Sequence, residues 1–204
     1  FLTACPTAVT AVTNPGAFTG GAGEEDDETF RARILESYRR LPNGANTAWY
    51  ETTAMSYPGV TAAKAVGRAE GPGTVNVYVT GEKGLPDQAL LEGLQAELQE
   101  KREIAVTVKV LAPTARTVNV AVAVAPKEGA DKAAVLESAR RAVADFFGGR
   151  LLGRAVLLAE LGNRLYDLEG VENYRFTAPA ADLPADSTAL PVLGTLEVTE
   201  LEEE

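Results

Sequence analysis

The glycine-rich stretch Gly16 to Gly23 runs directly into an unbroken acidic run, Glu24 to Glu28. A glycine loop ahead of a helix can hold a phosphate, because its backbone N–H groups point at the anion. That chemistry also needs a Lys and a Ser/Thr at the end of the loop, to reach the outer phosphates and Mg²⁺. Carboxylates follow here instead and would repel the anion, so the glycines read as a hinge or turn. The acids could collect a hard cation only if their oxygens converged. A calcium loop spaces its ligands at alternating positions around a glycine and closes on a bidentate Glu. A contiguous run that continues into a helix splays its carboxylates around the axis, so no metal ligand is predicted. The same reasoning applies to the acidic tail, Glu202 to Glu204.

The chain contains no histidine. That removes the commonest general base, the Ser-His and Cys-His nucleophile systems, and the usual zinc and iron ligand sets. The serines are Ser37, Ser56, Ser138 and Ser187, none within a Gly-x-Ser-x-Gly, and Cys5 is the only cysteine. Hydrolysis by two facing carboxylates is chemically open, since Asp and Glu total 29, but nothing marks two of them out. No catalytic, cofactor-binding or metal residue is predicted, and no cofactor. Binding leaves one candidate. Trp and Tyr are enriched at interface hot spots, and Trp49 and Tyr50 adjoin on a predicted helix, about 100° apart around its axis. Tyr50 reads as packed in the helix–sheet core, which leaves Trp49 as the candidate interface residue.

These side chains must be placed by the elements around them. The acids open a helix carrying Phe30, Ile34, Tyr38 and Leu41 on one face, where carboxylates are favoured at the N-terminus and Arg39 and Arg40 at the other end. Asp27 with Arg31 and Glu36 with Arg40 are i,i+4 pairs, and Pro42-Asn43-Gly44 stops the helix. Asn46 caps a second helix, ended by Pro58-Gly59. Val60 to Val66 is a short strand, Gly71-Pro72-Gly73 a turn, and Thr74 to Thr80 alternates as a half-buried strand. Pro86 opens a third helix, where its missing N–H costs nothing, with Leu90, Leu91, Leu94 and Leu98 as its stripe. Gly93 within that stripe costs about 1 kcal/mol relative to Ala, so something packs closely there.

Val106, Val108 and Val110 define a strand ending near Pro113, and Val118, Val120, Val122 and Val124 repeat the pattern. Asp131 caps a helix with Val135, Ala139, Val143 and Phe146 inward, stopped by Gly148-Gly149. A last helix spans about Leu158 to Leu168. Val171 to Phe176 and Thr195 to Val198 read as closing strands across a Pro/Ala/Asp-rich loop. The segment around Tyr57-Pro58-Gly59-Val60 is echoed at Leu168-Glu169-Gly170-Val171, and Gly73 to Val77 at Gly194 to Val198. Each half then uses a helix feeding an antiparallel hairpin.

A formal charge of –10 and a pI of 4.7 argue against a nucleic-acid partner, which needs clustered Lys/Arg to displace counterions. The doublets Arg39-Arg40 and Arg140-Arg141 read as solvated helix ends. A single cysteine allows no intrachain disulfide and fits a reducing compartment. No apolar run approaches the roughly 20 residues that span a bilayer. The first residues lack Met and a basic region, so they are not a signal peptide; they read as an extended segment severed from something upstream.

The ordered set Gly20-Gly21, Glu24 to Glu28, Phe30-Arg31-Ala32-Arg33-Ile34, Pro42 to Asn46, Trp49-Tyr50, Tyr57 to Val60 and Gly71 to Val75 resembles the baseplate J-like family. That family's usual pattern is Gly-Gly, an acidic cluster, then Phe/Leu-Arg-x-Arg-Ile/Leu; Gly23 departs from it, standing where Asp is frequent. The resemblance implies a wedge protein of a contractile phage tail baseplate, assembled in the bacterial cytoplasm. Such a wedge surrounds a central hub and transmits its rearrangement to the sheath, with sixfold symmetry. Its implied partners are other baseplate proteins and copies of itself, with no nucleic acid, membrane or small-molecule substrate. The expected fold is α+β, as two small helix-plus-antiparallel-sheet units. The layout is a truncated remnant at 1–21, a middle domain at 22–112, a C-terminal domain at 113–200 and an acidic tail at 201–204. A structural, non-enzymatic role is expected. The alternatives are a carboxylate-dependent hydrolase domain and the wedge of a non-phage contractile injection system.

Overall fold

The computed structural model describes residues 26–39, 46–82 and 84–201. The glycine run, Cys5, the remnant at 1–21, Leu41 and the Pro42-Asn43-Gly44 stop all lie outside the described residues. Helix α1, Asp27–Arg39, belongs to a compact unit of its own, Phe1–Arg40. Asp27 and Glu28 occupy its first turn, as the dipole argument requires. Arg31 pairs with Glu28, one residue along from the expected Asp27. Phe30, Ile34 and Tyr38 are all exposed.

The second unit, Leu41–Glu204, holds the two sheets. Helix α2 (Thr47–Met55) leads into strands β1 (Val60–Gly67) and β2 (Thr74–Gly81), then helix α3 (Gln88–Lys101) and strand β3 (Thr107–Leu111). Asn46 caps α2, its Oδ1 accepting from the Trp49 N–H at 2.8 Å. Strand order is β1-β2-β3, with β1 antiparallel and β3 parallel to β2. Tyr50, Val77, Val79, Leu94 and Leu98 are fully buried in the core between this sheet and its helices.

Pro113 lies in the short connection to strand β4 (Thr114–Pro126). Helix α4 (Lys132–Phe146), a 3-10 turn (Gly149–Leu151), helix α5 (Leu158–Tyr166) and strands β5 (Val171–Ala178) and β6 (Ala189–Glu200) follow. Asp131 caps α4, accepting from the N–H groups of Ala133 and Ala134 at 3.0 and 3.2 Å. Val118, Val120, Val122 and Val124 of β4 meet Val135, Ala139, Val143, Leu161 and Leu165 in the second core.

The fold is α+β, but both sheets are mixed rather than antiparallel. In the second, β4 lies between β5 and β6, antiparallel to one and parallel to the other. The expected second hairpin is therefore absent, although its turn glycine matches: Gly59 and Gly170 have φ of 88° and 87°, a conformation that suits Gly. Helix α3 starts at Gln88, not Pro86, because the Asp87 carboxylate accepts from the Leu90 N–H at 2.8 Å and proline has no such acceptor. Strand β6 is longer than Thr195 to Val198; an edge strand tolerates Pro191, whose missing N–H faces outward. Arg140 and Arg141 lie inside α4 rather than at its end.

Strand β2 departs most from expectation. Asn76 and Thr80, on its supposedly wet face, are 7% and 0% exposed. Ala62 and Tyr78 on that same face pack against the second core, so the first sheet is covered on both sides.

Candidate protein interfaces

The covering of β2 is built from small residues. The Thr80 hydroxyl donates to the Gly149 carbonyl at 2.9 Å, fully buried. A Cβ on Gly149 would lie 2.8 Å from the Gly81 carbonyl oxygen and 3.1 Å from Thr80 Oγ1. Leu151 and Leu152 are buried beside it, and the Lys64 stem lies against Gly153, where a Cβ would meet it at 2.8 Å. Backbone contact this close is possible only because position 149 has no side chain. The result is a closely packed, buried joint between β2 and the turn after α4.

An open groove of about 560 Å³ runs over this joint, lined by Arg150, Arg154 and Arg164 together with Glu82, Asp145 and Glu160. Arg154 Nη2 pairs with Glu160 at 3.1 Å, and the Arg164 guanidinium lies 5.2 Å from the Phe146 ring centroid. The groove thus mixes both charge signs along its length. Among the described residues, no three His, Cys, Asp or Glu side chains come together as a metal site, and no helix is long and apolar enough to cross a membrane.

Tyr50 and Trp49 sit on α2 as their register implies. Tyr50 is fully buried, with its hydroxyl lacking a hydrogen-bond partner. Burial pushes that hydroxyl's pKa up; the Glu103 charge adds to the shift and Arg102 opposes it. Trp49 is half-buried, its ring edge-on to Tyr50 with centroids 4.9 Å apart. It packs on the first core from the rim.

The α3–β3 connection carries a feature that periodicity missed. Ile104 is 100% exposed, one residue into a turn organised by Arg102. Its signal in the sequence is an isoleucine set directly after the charged run Lys101-Arg102-Glu103, out of register with the leucine stripe.

The sequence matches the Baseplate J-like central domain over residues 42–125 and the Baseplate J-like protein C-terminal domain over residues 118–199. The matches overlap within β4. Protein JayE of Escherichia coli (strain K12) is 25% identical over 185 residues, covering 89% of this chain and 69% of that protein. The cryo-EM structure of the anti-feeding prophage baseplate, sixfold symmetrised, contains a chain of similar fold, with a TM-score of 0.57 and 11% identity over 86% of this chain. This chain spans 43% of that one's length, and at such identity the likeness is one of fold.

Proposed function

The chain belongs to the baseplate J-like family, and we propose that it serves as a wedge in the baseplate of a contractile tail. In this reading it links the central hub to the sheath during assembly and relays the hub's rearrangement when contraction is triggered. Its partners are other baseplate proteins and copies of itself, and it acts without catalysis. It joins the tail baseplate in the bacterial cytoplasm. The two sheets correspond to a middle and a C-terminal domain dividing near Pro113, and Trp49 is a contact residue.

The observation that carries the wedge reading is the buried joint at Thr80 and Gly149. A relay must pass displacement from one partner to another without absorbing it, and packed interiors transmit strain because they are dense and barely compressible. A hydrogen bond and a backbone contact in a buried joint resist hinge motion between the sheets. The wedge of a non-phage injection apparatus is the second reading, supported by the fold shared with the anti-feeding prophage baseplate.

Purified tail particles test the proposal. Quantitative mass spectrometry is expected to find the protein in the baseplate, at a copy number compatible with the sixfold symmetry of the relative's structure. Sheath, tube and spike genes are expected beside its own. Absence from particles, together with stoichiometric divalent-metal binding of micromolar affinity by calorimetry, would favour the hydrolase alternative instead.

A further inference from the structure

We infer that Ile104 is an anchor by which this chain holds a neighbouring protein, seated in an apolar socket rimmed by cationic side chains. A single exposed apolar side chain is ordinary by itself. The backbone beneath this one is not. Arg102 ends α3 and turns its guanidinium back onto its own loop: Nη1 donates to the carbonyls of Glu103, Ile104 and Val106 at 3.1, 3.2 and 2.6 Å. The Val106 N–H donates to the Glu103 carbonyl at 3.1 Å, and the Thr107 N–H to the Gly73 carbonyl at 2.7 Å. The Ala105 carbonyl oxygen presses on Gly73 so closely that a Cβ there would lie 2.9 Å away.

The loop is therefore fixed from within and from the neighbouring turn, while its isoleucine meets only solvent. Arg102 Nε is buried without a partner to achieve this, which carries a desolvation cost. Merely reaching from α3 to β3 requires none of it. A loop already held in one conformation loses little entropy on binding, and a rigid apolar tip filling a pocket is the arrangement found at interface hot spots.

The charges around the tip select its partner. Lys101 is paired with Glu97 at 2.5 Å, while Arg102 bonds only neutral carbonyls of the loop and keeps its positive charge. Glu100 and Glu103 are exposed and make no salt bridge among the described residues. The tip is thus an apolar point beside two exposed carboxylates, which outweigh the one guanidinium of Arg102 and complement an apolar pocket with a Lys/Arg rim. A second copy of this chain, with a formal charge of –10, is a poorer complement than a different protein. That the partner is a baseplate protein rests on the wedge reading above.

The test uses the full-length protein expressed within its own tail gene cluster. A benzoylphenylalanine crosslinker replacing Ile104 is expected to capture one peptide of another tail protein, with apolar residues flanked by Lys or Arg. The same probe replacing Glu128, in an exposed turn, is expected to capture none of it. Ile104→Glu should lower incorporation into particles by about tenfold, while Ile104→Leu restores it and both proteins keep the parent melting temperature. Capture of only a second copy, no capture, or normal incorporation of Ile104→Glu would overturn the anchor and leave the wedge reading standing. Absence of the unaltered protein from particles would overturn both.

Discussion

Two tyrosines rest on helix glycines, and the closeness of each contact ranks what an added methyl would do. A Cβ on Gly93 of α3 would lie 2.1 Å from the Tyr57 hydroxyl, but 3.1 Å from the ring carbon behind it. A Cβ on Gly162 of α5 would lie 2.1 Å from the Tyr174 hydroxyl and 2.6 and 2.9 Å from ring atoms. Tyr174 is also held edge-on against Phe176 at 5.5 Å, so its ring has less freedom to retreat. Alanine gains about 1 kcal/mol of helix propensity at either site. Gly93→Ala is therefore expected to come out near neutral, and Gly162→Ala to destabilise by about 1–3 kcal/mol, measured by urea denaturation. The Gly93 contact was legible as a break in the leucine stripe. Its partner was not, because periodicity gives a residue's face and not what lies across from it. Tyr50 offers a second check. Its buried hydroxyl has no partner, so Tyr50→Phe should be neutral or stabilising by up to about 1 kcal/mol. Because its folded pKa is raised, chiefly by burial, the stability it contributes is complete below the unfolded value, about 10. That contribution is lost as pH rises through the folded value, since only the unfolded state ionises readily. The alkaline fall in melting temperature should be shallower in Tyr50→Phe.

Among the elements, the sheet edges show how side chains stand in for missing strands. Gln95 of α3 reaches the free edge of β3, its Nε2 donating to the Val108 carbonyl at 3.0 Å and its Oε1 accepting from the Val110 N–H at 2.7 Å. Glu51 accepts from the Ala65 N–H of β1 at 3.1 Å, and Arg140 donates to the Val198 carbonyl of β6 at 3.0 Å. An unguarded edge invites pairing with other chains. Gln95→Leu should cost about 1–3 kcal/mol by leaving polar groups unpaired, and should speed hydrogen exchange at the Val110 amide. No change at that amide would show that Gln95 is not the guard. The valine alternation of β3 and β4 and the Asp131 cap were readable locally. The mixed pairing was not, because alternation fixes which face is buried and leaves open which strand is adjacent. Residues 189–194 read as loop because Pro191 and Gly194 argue against a central strand, and only edge placement removes that objection.

For the whole molecule, the joint at Thr80 and Gly149 is the feature that alternation within β2 misdescribed. Thr74 to Thr80 looks half-wet because Asn76, Tyr78 and Thr80 are polar or amphipathic. The far half of the chain covers that face, a contact between residues distant in sequence that no local pattern encodes. Thr80→Val leaves the Gly149 carbonyl without its donor and should cost about 1–3 kcal/mol. Gly149→Ala forces a methyl against the Gly81 backbone and should cost about 1–3 kcal/mol. Equilibrium unfolding of both variants checks the pair, and parent-like stability in both would remove the joint from the account. The family was legible earlier than the fold details, because the ordered motifs from Gly20 to Val75 are local. The central claim is that this protein is a structural part of a contractile tail. An in-frame deletion of its gene, with particles counted by negative-stain electron microscopy, tests that most directly. The expected result is loss of assembled tails, restored by the gene supplied in trans; intact tails that still contract without it would contradict the account.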